Sequence, residues 1–263
     1  MSTFDQVSGQ YEQTALVQQA AAEKLLALLE IGENDDLLDV ACGPGHLTQR
    51  FTLLTQGRVL GTDISAGMIA QARAKYPTLE FRQVAAEDLD YQEEFDVVFC
   101  NSSLQWFTRP AKAVAAMGAA LRRGGKLSVS SPATETWSTC FLGVAIEAGA
   151  HPDLAATFAR WKSPWFYLPD SASYQSLFEG EGFKTIHCRI DAEESLYDTE
   201  RAVGIFLSGA GQGFTGEAFY DVPIHDDYVR LFKAQARLAM EHRARDGKVK
   251  VDFQRLYYVG IKP

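Results

Sequence analysis

Between residues 37 and 131 this chain of 263 residues repeats one pattern: a short apolar run, a tight turn, then a helical stretch. Residues 37–40 read Leu-Leu-Asp-Val, stop in a glycine turn, and lead into a helix expected over 46–54. A second strand is expected over 58–62, with Ser65 as N-cap of a helix that runs to Tyr76 and is closed by Pro77. Residues 79–84 give a third strand. Residues 95–100 give a fourth, and their continuous apolar content suits a strand buried on both faces. Pro110 fits the first turn of a helix reaching Leu121, Gly124-Gly125 breaks it, and 126–130 is the fifth strand. This alternation calls for a parallel sheet with right-handed crossovers and helices on both faces.

The rhythm changes after Ser131. An N-terminal amphipathic helix over 15–31, ended by Gly32, precedes the repeat. Residues 132–168, rich in Trp, Phe and Ala, read as helical. A helix over 171–181 and a strand over 184–190 follow. Residues 199–246 are mostly helical, and 253–261 form the last strand. The expected organisation is a cofactor-binding half over 1–131, a helical lid insertion over 132–168, and a helix and strand over 169–198. A second helical lid segment over 199–246 and a final strand over 247–263 complete it. The lid would cover the C-terminal edge of the sheet, where open α/β sheets bind ligands.

A net charge of −9 disfavours a nucleic-acid partner, because a phosphate backbone repels such a surface. The most basic stretch, Arg237 to Lys250, is interrupted by Glu241 and Asp246 and reads as a solvated helix face followed by a turn. Cys42, Cys100, Cys140 and Cys188 match no zinc spacing, so no metal is expected, and reduced thiols in a cytoplasmic protein are. Met1 to Gln13 has no basic run before an apolar core, and no stretch approaches the ~18 apolar residues of a membrane span. No membrane partner is therefore expected.

Three motifs fall at the ligand edge. The first is Asp39-Val40-Ala41-Cys42-Gly43-Pro44-Gly45. Glycines let a backbone pass close to a ligand. A dinucleotide fingerprint would place a third glycine where Thr48 stands, and the Asp39 carboxylate would repel a pyrophosphate but accept from an ammonium group. The second is Asp63, placed after the glycine turn at about the ~20-residue lag of a ribose-binding acid. The third is Asn101-Ser102-Ser103-Leu104-Gln105-Trp106. Asn101 offers a donor and an acceptor to a zwitterion, and Trp106 could wall a reaction site.

Together with Phe95 to Asn101 and Leu121-Arg122-Arg123-Gly124-Gly125-Lys126-Leu127, these motifs resemble the class I S-adenosylmethionine-dependent methyltransferases. The resemblance implies an α/β fold: a doubly wound, mostly parallel, seven-stranded Rossmann-like sheet with helical lid insertions. Leu104-Gln105-Trp106 is similar to trans-aconitate methyltransferases and to malonyl-carrier-protein O-methyltransferases. Phe4-Asp5 and Tyr11 look like the latter; Phe206-Leu207-Ser208-Gly209 and Phe253 to Tyr257 look like the former. The implied cofactor is S-adenosylmethionine. Asp39, Ala41, Gly43 and Gly45 would hold its methionine part, and Asp63 its ribose. Ile64, Met68, Ala86 and Glu87 would lie near ribose or adenine, and Asn101 and Gln105 near the sulfonium.

The implied acceptor is a small molecule, and both named groups of relatives methylate carboxylates. Tyr11, Trp106, Arg160, Trp161 and Arg255 are the candidate acceptor contacts, the arginines because a guanidinium meets a carboxylate bidentately. Two departures stand out. Ala85 occupies the place where relatives often carry an adenine-binding Asp, and Pro132-Ala133-Thr134-Glu135-Thr136 replaces a more polar stretch of the trans-aconitate enzymes. A carboxylate nucleophile needs no general base, and His46, His151 and His225 are assigned none. The competing readings are a non-catalytic cofactor-binding protein acting through a partner and a nicotinamide-dependent oxidoreductase.

Overall fold

A computed structural model of the chain describes residues 16–263. Phe4, Asp5 and Tyr11 lie outside the described residues. Seven strands form one sheet in the order β3-β2-β1-β4-β5-β7-β6. Strands β1 (Leu37–Val40), β2 (Val59–Asp63), β3 (Glu80–Gln83), β4 (Phe95–Asn101) and β5 (Leu121–Pro132) pair in parallel. Strand β7 (Lys248–Ile261) is antiparallel to both β5 and the edge strand β6 (Lys184–Asp198). The order reverses between β1 and β4. Crossovers on the two sides of that point leave the sheet toward opposite faces, which opens a crevice at the strands' C-terminal ends.

Alternation within the strands builds a core on each face. Leu38, Val40, Val98, Cys100, Leu127 and Val129 point to the side of helices α4 (Pro110–Ala120) and α7 (Ser171–Gly180). Leu37, Val97, Phe99, Tyr257 and Val259 point to the side of α1 (Leu16–Leu26) and α2 (His46–Phe51). Helix α3 (Ala66–Lys75) starts as read from the sequence, with the Ser65 hydroxyl accepting from the Met68 amide at 3.1 Å.

A third core lies beyond the sheet. Strand β5 stops at Pro132, opposite Arg255, whereas β6 and β7 stay paired out to Asp198 and Lys248. The hairpin thus leaves the sheet and carries Val249, Val251 and Phe253 among helices α5 (Thr139–Gly149), α6 (Pro152–Phe158), α8 (Thr199–Ser208), α9 (Gly211–Thr215) and α10 (Asp226–Arg243). Asp252 joins the two parts by accepting from the Thr139 and Cys140 amides at 2.9 and 2.8 Å, at the start of α5. Among the described residues no helix is long and apolar enough to cross a membrane.

Three expected elements are corrected. The first helix ends at Leu26, and its chain tightens into i→i+3 turns that set Leu29 and Ile31 against the sheet; Gly32 donates to Asp35 instead of capping. Residues 162–170 are not helical, because Pro164 and Pro169 remove amide donors and push the residues before them to extended backbone. Strand β6 runs to Asp198, far past Ile190.

Candidate active site

A cavity of about 490 Å³ opens at the C-terminal ends of β1, β2 and β4. Its floor is the glycine turn after β1. The turn is made by left-handed backbone at Ala41 (φ 59°), Gly43 (φ 55°) and Gly45 (φ 84°). The two glycines differ in what they face. A Cβ on Gly43 would meet nothing within 4 Å, so this position leaves room above the backbone, whereas a Cβ on Gly45 would lie 2.7 Å from the Phe81 ring. Asp63 locks the turn: its Oδ2 accepts from the Gly43 amide at 2.9 Å and its Oδ1 from the Ser65 amide at 2.8 Å.

Asp39 lies behind this turn and does not line the cavity. It accepts from the Thr48 hydroxyl at 2.6 Å. Burial pushes its carboxyl up to about 7; the Thr48 hydroxyl pulls it partly back, and the Asp63 charge adds to the rise. Gly45 is likewise behind the surface, while Ala41, Gly43, Asp63, Ile64, Met68, Ala86 and Glu87 all line the cavity. Ile64 is 60% exposed and stands at the rim. The Glu87 Oε1 is engaged by the Thr108 and Arg109 amides at 3.0 and 3.3 Å, so this carboxylate braces the loop before α4.

The segment after β4 divides its labour. Asn101 does not line the cavity: its amide donates to the Gln18 carbonyl at 2.9 Å and its Oδ1 accepts from Ser130. Gln105 reaches the cavity, but its side chain links the Ser102 carbonyl and the Ser131 hydroxyl, at 2.9 and 2.8 Å. Both side chains hold the loop in shape. Trp106 lines the cavity and meets Trp165 edge-on at 5.7 Å.

The helical layer supplies the opposite wall. Arg255 is 1% exposed yet lines the cavity. Its Nη1 donates to the Ser102 hydroxyl at 2.9 Å, its Nε lies 3.5 Å from Glu193, and its guanidinium sits 5.3 Å from the Phe253 ring centre. These contacts offset the several kcal/mol that desolvating a cation costs. Arg160 and Trp161 are not part of this wall. Arg160 is paired with Asp221 at 2.7 Å on the surface; the Trp161 indole donates to the Gly213 carbonyl at 2.7 Å and packs on Phe214.

Several lining residues escaped sequence reasoning. Phe253 is one: it lies two residues before Arg255 on one strand and so shares its face, a signal the alternation of β7 contained. Ser102 lies inside a motif already singled out and has a left-handed φ of 58°. Nothing local marked Gln18 of α1 or Trp137. None of the described histidines lines the cavity: His46 contacts the Tyr76 hydroxyl at 2.7 Å and His151 caps α6.

A methyltransferase-domain family model matches residues 38–129. A trans-aconitate 2-methyltransferase of Methylobacterium nodulans is 31% identical over 258 residues, covering 96% of this chain and 96% of that protein. The chain belongs to the S-adenosylmethionine-dependent methyltransferases. A malonyl-[acyl-carrier protein] O-methyltransferase of Acetivibrio thermocellus is 31% identical over 140 residues, half of each chain. The fold of this methyltransferase also matches phosphoethanolamine N-methyltransferase 2 of Haemonchus contortus, solved with S-adenosylhomocysteine. There the TM-score is 0.58 at 15% identity, over 98% of this chain and 58% of that one.

The protein is thus an enzyme that uses S-adenosylmethionine. The nicotinamide alternative falls with this assignment, and Thr48 shows why physically: at the third-glycine position its buried hydroxyl is committed to Asp39. The cavity fits the cofactor: the room above Gly43 suits a close-lying chain, and Asp63 stands at the rim with apolar Met68, Val84 and Ala86 beside it.

Proposed function

We propose that this methyltransferase O-methylates the carboxylate of a small molecule. Arg255 carries the reading, as a desolvated guanidinium in the cavity wall with Ser102 beside it. Such a group holds an anion far more strongly than an exposed one. Two relatives are named for trans-aconitate and for malonyl-[acyl-carrier protein], which agrees with a carboxylate acceptor.

In this reading the backbone of the Ala41–Gly43 turn would hold the methionine end of the cofactor, Asp63 its ribose hydroxyls, and Ile64, Met68, Val84 and the 86–88 turn its adenine. Asp39 acts from behind the turn. Gln105 and Asn101 brace the loop that carries Ser102. When bound, the cofactor supplies an electrophilic methyl: the acceptor oxygen forms the new C–O bond as the S–C bond breaks, and the electron pair stays on sulfur.

No proton moves when the acceptor is a carboxylate, so this step calls for no general base. Tyr167, a phenol in the cavity wall, is pushed above its ordinary range by burial, which keeps it protonated and out of use as a base. The aromatic wall excludes water from a step in which a cation and an anion become two neutral products, so a low dielectric favours it.

The test uses purified enzyme, S-adenosylmethionine carrying a labelled methyl, and a panel of carboxylic acids, phenols and amines. A methyl ester, recognised by its mass and its cleavage in mild alkali, is expected with acids. Label transferred only to phenols or amines, in alkali-stable form, would refute the reading.

A further inference from the structure

We propose that the acceptor is a monocarboxylic acid with a flat apolar body, and not a polycarboxylate. The inference rests on the carboxylate reading and adds the rest of the molecule.

Charge comes first. The charged residues in the described cavity wall are Asp63, Glu87, Asp88, Arg109 and Arg255. Arg109 stands beside Asp88 at 3.5 Å, on the β3 side, with more than half of its side chain exposed. Arg255 is the other basic residue among the described wall residues, and it lies 3.5 Å from Glu193. Glu193 in turn is shared with Lys24 at 3.1 Å and the Tyr257 hydroxyl at 2.6 Å. Trans-aconitate, the acceptor in the relatives' name, is a tricarboxylate. It would bring three negative charges to this one cation and leave two in a desolvated wall.

The wall itself is aromatic. Trp106, Trp137, Phe141, Trp165, Phe219 and Phe253 line the cavity around Arg255. Trp137 lies nearly parallel to Phe253 at 6.0 Å and meets Trp165 edge-on at 5.5 Å. Surfaces of this kind gain from covering another flat apolar group and penalise hydrated ions. They also leave one donor over. The Trp137 Nε1–H is buried and has no hydrogen-bond partner among the described residues. An unmatched buried donor is costly, and an oxygen of the acceptor would match it.

The acceptor therefore places its carboxylate on Arg255 and Ser102 and its apolar body among the indoles. Esterification removes its charge and releases a neutral product.

The experiment compares trans-cinnamate, a flat monoacid, with trans-aconitate, using the full-length enzyme and saturating S-adenosylmethionine. Formation of alkali-labile methyl ester gives kcat/KM for each. Quenching of intrinsic tryptophan fluorescence, with S-adenosylhomocysteine present, reports binding independently of turnover. Cinnamate is expected to exceed trans-aconitate by about 100-fold or more in both readouts, as uncompensated buried charge dictates. Trp165→Ala is expected to cut that preference about 10-fold, and the milder Phe219→Leu to lower it in the same direction. Equal or better use of trans-aconitate overturns the inference and leaves the carboxylate reading standing. Aromatic-wall variants that keep the full preference also overturn it. Methyl transfer to neither acid, but to a phenol or amine, defeats the carboxylate reading itself.

Discussion

Arg255, in the last strand, and Ser102, in the loop after the fourth, meet at 2.9 Å across 153 residues of sequence. The pair stitches the outer wall of the cavity to the edge of the sheet. Arg255→Met is expected to raise the KM for a carboxylic acid by about 10- to 100-fold, the worth of a charge-assisted hydrogen bond, with the dissociation constant for S-adenosylmethionine unchanged. Arg160→Ala, which breaks only a surface pair with Asp221, is expected to leave both constants where they were. Steady-state kinetics with calorimetric titration checks both. Equal effects from the two arginines would remove the role given to Arg255.

The two glycines of the first turn separate ligand space from fold. Gly43→Ala places a methyl where the protein has nothing within 4 Å, so it is expected to weaken cofactor binding by about 10-fold or more with a modest loss of stability. Gly45→Ala drives its methyl into Phe81 at a left-handed position and is expected to cost about 1–3 kcal/mol of stability. Urea denaturation and calorimetry on the same samples give the contrast. If both variants lose stability and affinity in equal measure, the division between them is wrong.

Asp39 makes stability depend on pH. With its carboxyl raised to about 7, the folded protein keeps a proton that the unfolded chain gives up near pH 4. Its contribution is therefore full below about pH 4 and is lost as pH rises toward 7. Asp39→Asn keeps an acceptor for Thr48 and removes the titration. The variant is expected to be more stable than the wild type by roughly 1–3 kcal/mol at pH 8 and no more stable at pH 4. Urea midpoints across that range decide it; parallel pH profiles would contradict the buried, raised carboxyl.

Asp63 serves the turn and the rim at once. Asp63→Ala is expected to weaken S-adenosylmethionine binding by about 100-fold, since it removes the proposed ribose acceptor together with the bonds to the Gly43 and Ser65 amides. Wild-type protein titrated with NAD should give no heat of binding. Unchanged affinity in the variant would move the ribose elsewhere in the cavity.

Strands β1, β2 and β4 were legible because buried parallel strands write their burial into apolar runs; β3, at the sheet edge with only Phe81 buried, was legible mainly from its place in the strand–helix alternation. Strand β6 was legible only to Ile190. Beyond it the chain reads Asp-Ala-Glu-Glu-Ser, which looks like a loop until its partners are known: Lys24 for Asp191 and Glu193, and Lys250 for Glu194. An edge strand held by charges from other elements carries no local signature. Asp63 and the glycine turn could be read from spacing alone. The division between residues that line the cavity and those that brace it could not. Asn101 and Gln105 have the chemistry of ligand contacts, and it is Gln18, Ser130, Ser102 and Ser131 that take their hydrogen bonds.

The hairpin of β6 and β7 holds Asp198 opposite Lys248, so residues 199–247 begin and end at one fixed point. Whatever that excursion contains, its anchorage is the same. Substitutions, insertions or a wholesale exchange there would alter the chamber above the sheet while the five parallel strands and the glycine turn kept their register. A chimaera grafting a relative's segment between those two residues would exchange Ile205, Gly209, Ala210 and Phe219 in the cavity wall and leave Arg255, the indoles and the glycine turn in place.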